Sequence, residues 1–329
     1  MPAAPSKPSA LARYAWGVLA YNVAVVLWGA YVRATGAGAG CGRHWPRCNG
    51  RVVPLLRETK ELVEFTHRVS SGFALLLVVG LLAWTLRAAP RGHLARRAAV
   101  VSMVLMVMEA LLGAGLVLLR LVAGDKSSLR AFSMAAHLTN TFLLLAAITL
   151  TAWFLSTGAR VRARGRGAVL WPLGIALAAT LFVAVSGAVT ALGDTLFPAT
   201  SLTAGLRADM SATAHFLVRL RVVHPALAIA TSLYVVFAGW LVRRARPSAL
   251  TTRLSKALAG LFIAQVLVGA VNVILLAPLA MQIVHLLMAD LVWIALVVTT
   301  AAALADDTAT NVAGDAMPSV DRFPATVEA

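Results

Sequence analysis

Four histidines lie inside apolar stretches that offer them few partners: His67 in EFTHRVSSG, His137 in HLTNTFLLLA, His224 in LRVVHPALA and His285 in HLLMADLVWIAL. An ionisable group in lipid is costly, and is kept where it faces a bundle interior or a cavity. Neutral imidazole is a good axial ligand for haem iron, and facing helices can set two imidazoles on opposite sides of one porphyrin. Two such residues in each half of the chain read most simply as one haem per half. A zinc site would usually add thiolates or carboxylates to the set, and a proton relay would tend to use acids near the membrane midplane; both stay open on these residues alone. His44, His93 and His215 fall in loops or at a helix start, where solvated or capping roles are ordinary.

The charged residues beside the histidines differ between the halves. Glu64 stands three residues before His67, and Arg221 three before His224, each on the same helical face as its histidine. A carboxylate beside a haem can accept a proton, whereas a guanidinium pairs with a propionate. Glu64 is therefore the acid–base candidate and Arg221 a propionate contact, with Arg33, Arg68 and Arg219 as weaker propionate candidates near the same boundary. The structural alternatives are a helix-start carboxylate favoured by the dipole and an interfacial arginine anchor. Glu109 corresponds to Gln265 in the other half and reads as a hydrogen-bonded interhelical group, outside the site. Cys41 and Cys48, in CGRHWPRC, belong to a loop found only in the first half. An outer face permits a disulfide between them, which we expect, although spacing alone does not prove a bond.

The elements that must carry these residues are membrane helices. Of 329 residues, 60% are hydrophobic and 13% charged, and the mean hydropathy is +0.83; lipid must be the solvent for so much apolar surface. The formal charge of +16 does not point to nucleic acid, because the arginines cluster in short loops between apolar runs. Apolar runs predict eight transmembrane helices near 14–33, 64–86, 98–121, 131–156, 170–191, 215–242, 257–276 and 280–304. The first is read as retained rather than as a cleaved leader.

Arginines after helices 2, 4 and 6 place those loops, and with them both termini, on the cytoplasmic side. The connection 34–63 is then an outer loop, basic though it is. Residues 1–13 form a cytoplasmic N-terminus, 157–169 a cytoplasmic linker, and 305–329 a cytoplasmic tail expected to be disordered. The halves 14–156 and 170–304 match at small and polar positions: Gly29 with Gly187, Gly113 with Gly269, His67 with His224 and His137 with His285. The fold class is thus an all-α integral membrane protein, two tandem four-helix bundles related by a pseudo-twofold axis along the membrane normal. All four histidines then lie at a similar depth, towards the outer face.

Together, GAYVRATGAGAGCGRHWPRCNG and the four histidine segments resemble, in order and spacing, the signature segments of haem A synthases over residues 14–304. The resemblance implies oxidation of the C8 methyl of haem O to the formyl group of haem A, for haem-copper oxidases. It implies that His67 and His137 hold the substrate haem with Glu64 nearby, and that His224 and His285 hold a fixed haem b. It also implies haem O synthase, oxidase assembly proteins and an electron acceptor of the quinone class as partners in the membrane. Arg43 and Glu109 depart from the family pattern. The rival readings are a diheme b-type electron carrier or quinone oxidoreductase, which would not need Glu64, and a membrane transporter.

Overall fold

A computed structural model describes residues 9–55 and 58–306. The described chain is helical, and eight of its helices are long and apolar enough to cross a membrane. They are α1 (Ala10–Ala34), α2 (Thr59–Ala88), α3 (Leu94–Leu118), α4 (Ser128–Thr157) and α5 (Gly167–Leu196), then α8 (Val223–Ala245), α9 (Ala249–Ile274) and α10 (Leu279–Leu304). Between α5 and α8 lie two short helices, α6 (Leu202–Asp209) and α7 (Phe216–Arg219). A 3-10 turn at Leu220–Val222 joins α7 to α8, so that Phe216–Ala245 is one span. The chain is a multi-pass membrane protein. Large apolar side chains such as Phe132, Trp171, Phe182 and Leu233 stand exposed on the helix flanks, as lipid-facing residues do.

The spans are longer than the apolar runs, because polar caps rather than the last apolar residue end them. Ser9, Ser127 and Ser248 each accept a hydrogen bond from the backbone of the turn they open. Gly158 closes α4 in the left-handed conformation, φ 62°. Helix α2 begins five residues before the expected start at 64, so Glu64 sits inside the helix rather than at its N-terminus. Sequence reading also missed α6, which is too short and too polar on average to register as a membrane run.

Each group of four spans closes through the same neighbours. In the first, α1 packs on α2, α2 on α3, α3 on α4 and α4 on α1; in the second, α5 packs on α8, α8 on α9, α9 on α10 and α10 on α5. The groups meet through α4 with α10, α4 with α5 and α1 with α10. One core links Val18, Leu81, Leu145 and Ile148 to Trp293 of α10, whose indole Nε1–H donates to the Phe142 carbonyl of α4 at 2.7 Å. The expected linker is fastened rather than loose: Arg166 Nη1 donates to the Ala305 carbonyl at 2.5 Å, and the Arg162 amide to that of Leu304 at 2.9 Å. The disorder expected of the tail concerns residues 307–329, which lie outside the described residues, as do 1–8 and 56–57.

Candidate functional site

Helices α2, α4, α8 and α10 carry His67, His137, His224 and His285 respectively, each about two turns into its span. All four imidazoles line one cavity of about 1350 Å³ that extends through both groups of spans. That exceeds the roughly 300–1,000 Å³ of a single small-molecule pocket. The registered glycines explain how bulky rings fit between close helices. A Cβ added at Gly29 would meet His67 Cε1 at 3.0 Å, at Gly187 His224 Cε1 at 2.9 Å, and at Gly269 His285 Cε1 at 2.9 Å. Gly113 faces His137 more loosely, at 3.9 Å. Gly29, Gly113, Gly187 and Gly269, on α1, α3, α5 and α9, are therefore each the wall opposite one histidine.

The donors suit haem. The His224 and His285 ring centroids are 6.3 Å apart and their planes are nearly perpendicular. Two imidazoles bound to one metal through bonds of about 2.0–2.1 Å would place their centroids roughly 6 Å apart. Buried Nδ1 atoms of His67, His137 and His285 have no hydrogen-bond partner, while His224 Nδ1 lies 2.9 Å from Ser186 Oγ. Buried polar atoms are ordinarily paired, so these nitrogens call for a ligand or a partner. Among the described residues no three His, Cys, Asp or Glu side chains converge on one point. The facing imidazoles of His224 and His285 fit a metal whose in-plane ligands come from a porphyrin.

Glu64 is buried against the cavity wall with both oxygens engaged. Oε2 accepts the Cys41 amide N–H at 2.7 Å, and Oε1 pairs with Arg68. Arg68 in turn donates to the carbonyls of His44 and, at 2.6 Å, Arg47. Together they clamp the loop closed by the Cys41–Cys48 disulfide, whose Cα atoms are 4.4 Å apart. Gly40 lets that loop lie on α2, since a Cβ there would meet the Lys60 carbonyl oxygen at 2.4 Å. Trp45, Pro46 and Val52 of the loop line the cavity, making it a cover for the first group of spans.

Arg221 occupies the matching position before His224 and likewise holds a cover. Its Nη2 lies 2.7 Å from Asp209 Oδ1, and its Nη1 3.2 Å from Asp194 Oδ1 and 3.0 Å from the Phe197 carbonyl. Asp209 ends α6, whose Leu202, Gly205 and Leu206 line the cavity. Arg33 of α1 crosses to the other group: Nη1 donates to the Ala191 carbonyl (2.8 Å) and Thr195 Oγ1 (2.7 Å), and Nη2 to Gln282 Oε1 (2.9 Å). Arg33, Arg68 and Arg221 thus reach the cavity while held by protein groups. Arg219 is exposed and outside the cavity lining. Of the other histidines, His93 and His215 cap α3 and α7 through Nδ1, at 3.2 and 3.3 Å from the amides they accept.

Sequence reading missed Arg130, which is buried on the cavity wall with Nη1 donating to the carbonyls of Ala123 (2.6 Å) and Asp125 (2.7 Å). Its place two turns before His137 on the same helix was the available signal. It also passed over Asp194, Asp209 and Gln282, whose roles depend on partners in other helices. Glu109 is interhelical as expected, accepting from Asn140 Nδ2 (2.6 Å) and Thr141 Oγ1 (2.5 Å) of α4, but it too lines the cavity.

Comparison with known proteins gives a consistent picture. The cytochrome oxidase assembly protein family matches residues 12–297. Two proteins from different strains of Thermus thermophilus, each named protoheme IX farnesyltransferase, are 54% and 53% identical over 296 residues. Those matches cover 90% of this chain but 49% of either relative, so the chain spans about half their length. A heme A synthase of Bacillus licheniformis is 41% identical over 93 residues, 28% of this chain and 30% of that protein. Another, from Geobacillus kaustophilus, is 36% identical over 126 residues, 38% of this chain and 37% of that protein.

Proposed function

Because the chain belongs to the cytochrome oxidase assembly protein family, we propose that it is a haem A synthase, oxidising the C8 methyl of haem O to the formyl of haem A. The carrying observation is the single cavity with four imidazoles, each set against a glycine. His67 and His137 would hold the substrate haem, and His224 and His285 a resident haem b. The resident haem would supply an electron outlet, and a quinone-class acceptor in the membrane would take the electrons on. The relatives named heme A synthase support the reading.

With water as the oxygen source, turning a methyl into a formyl releases about four protons and four electrons, and the electrons would pass to the quinone-class acceptor. Glu64 lies one turn before His67 on the cavity wall and is the acid–base group for those protons. Arg68 and the Cys41 amide hold its carboxylate in place. The cysteine loop and α6 cover the cavity. Arg33, Arg68 and Arg221 line the cavity and are the candidates for propionates, each meeting them by sharing its present protein partners.

We further propose that the spans form two four-helix halves related by a twofold axis along the membrane normal. Exchanging α1 with α5 and α4 with α10 maps the contacts between the halves onto themselves. Positive loops put the termini in the cytoplasm of the cell and the cysteine loop outside. Haem O synthase and oxidase assembly proteins are the expected neighbours.

A second reading, prenyl transfer, is favoured by the name of the Thermus thermophilus relatives. A diphosphate leaving group usually calls for Mg²⁺ held by one or two carboxylates; the cavity carboxylates Asp194 and Asp209 are instead paired with Arg221. Haem analysis of the purified chain, expressed with and without a haem O synthase, separates the readings. Haem b in both preparations, with haem A appearing only when haem O is supplied, is expected. Haem O formed without the added synthase would favour prenyl transfer, haem b alone in both an electron carrier, and no Soret band a transporter.

A further inference from the structure

Glu109 lines the cavity yet has no part in the chemistry above. Its Oε1 lies 3.4 Å from His137 Nδ1. That nitrogen is buried and forms no hydrogen bond in its present orientation, so the carboxylate is the acceptor placed beside it. Asn140 Nδ2 and Thr141 Oγ1, on the helix that carries His137, fix the carboxylate from the other sides at 2.6 and 2.5 Å. The second half differs at the matching position. There Gln265 Nε2 stands 3.5 Å from His285 Nε2, and His285 Nδ1 has no partner.

We propose that Glu109 is a positioning residue for His137, accepting its Nδ1–H so that Nε2 faces the cavity as a strong donor to haem iron. The inference rests on the assignment of His137 as a haem ligand. A carboxylate behind a ligating imidazole fixes its tautomer and raises its basicity. It thereby favours the ferric over the ferrous state and lowers the reduction potential. In the second half no carboxylate stands behind the imidazole, since His285 Nδ1 has no partner and the nearby Gln265 is neutral. The haem of the first half then has the lower potential, and electrons released there run toward the second.

The test is redox titration of the full-length purified protein loaded with ferric haem b at both sites, for the parent, Glu109→Gln, Thr141→Val and Gln265→Glu. Two components are expected in the parent. Glu109→Gln should raise the lower one by about tenfold in the ferrous-to-ferric ratio, about 59 mV for one electron, and leave the other in place. Thr141→Val removes the hydroxyl that shares Oε1 with the imidazole, so it should move the same component down. Gln265→Glu should lower the other component. A Glu109→Gln protein that keeps both haems with both potentials unmoved, or moved together, overturns the inference. If that variant does not fold, an unmoved lower component in Thr141→Val overturns it equally. A parent protein that binds no haem would overturn the ligand assignment and this inference with it, an outcome distinct from haems at unchanged potentials.

Discussion

Glu64 serves two purposes that one substitution can separate. It anchors the cysteine loop through the Cys41 amide and Arg68, and it is the acid–base group proposed for the methyl oxidation. Glu64→Gln keeps an acceptor for the Cys41 N–H but cannot take up a proton at neutral pH. We expect haem to stay bound while the haem A to haem O ratio falls on the order of 100-fold, as for a lost general base. A ratio like the parent's would leave Glu64 with the loop alone. The glycines give a second test at this scale. Gly113 and Gly269 are equivalent in the proposed repeat, but a Cβ has ordinary room at the first (3.9 Å) and would crowd His285 at the second (2.9 Å). Gly113→Ala should therefore keep its haem content, whereas Gly269→Ala should lower it toward one haem per chain by pyridine haemochrome assay. Equal loss in both variants would mean the glycines act through general helix packing.

Among the elements, the two covers are built differently but held at the same place. The cysteine loop is fastened by a carboxylate three residues before His67, and α6 by a guanidinium three residues before His224. Helical spacing puts that position one turn above the ligand, where a side chain reaches whatever closes the cavity. Arg221→Gln would leave Asp194 and Asp209 without their cation, and breaking such a buried pair costs about 3–5 kcal/mol. Faster loss of the haem held by His224 and His285 is expected, followed as decay of its Soret band in detergent, with the first-half haem little changed. Uniform loss of both haems would show global unfolding instead. The disulfide closes a short loop, for which the stabilisation by chain entropy is modest; its consequence is the shape of the cover over the first half.

At the scale of the molecule, the halves are joined by Arg33, which links α1 to α5 and α10, and by the Trp293 to Phe142 hydrogen bond between α10 and α4. The cavity continues across this junction, which brings the two proposed haem sites into one enclosure. Orientation sets where released protons and the disulfide end up. With cysteines introduced singly at Arg91 and Arg164, in the short basic loops, membrane-impermeant thiol reagents should label inverted but not right-side-out vesicles. Labelling from the opposite side would place the cysteine loop in the cytoplasm and reverse the proposed topology.

How much was legible in the sequence follows from the solvent. Lipid forces every backbone polar group of a spanning segment into its own helix, so run length and composition were enough for eight spans. The cost of ionisable groups in lipid marked His67, His137, His224 and His285, and their registered spacing marked the repeat. These are properties of single helices. The partners of Glu64 and Arg221, the histidine behind each glycine, the cover formed by α6, and the contact of Glu109 with His137 all lie between helices far apart in the chain. Spacing along one helix fixes which face a residue occupies. Only the packing of that face against another helix decides what it meets, and so the two carboxylates that pair with Arg221, expected only as a propionate contact, could not be read from its own helix.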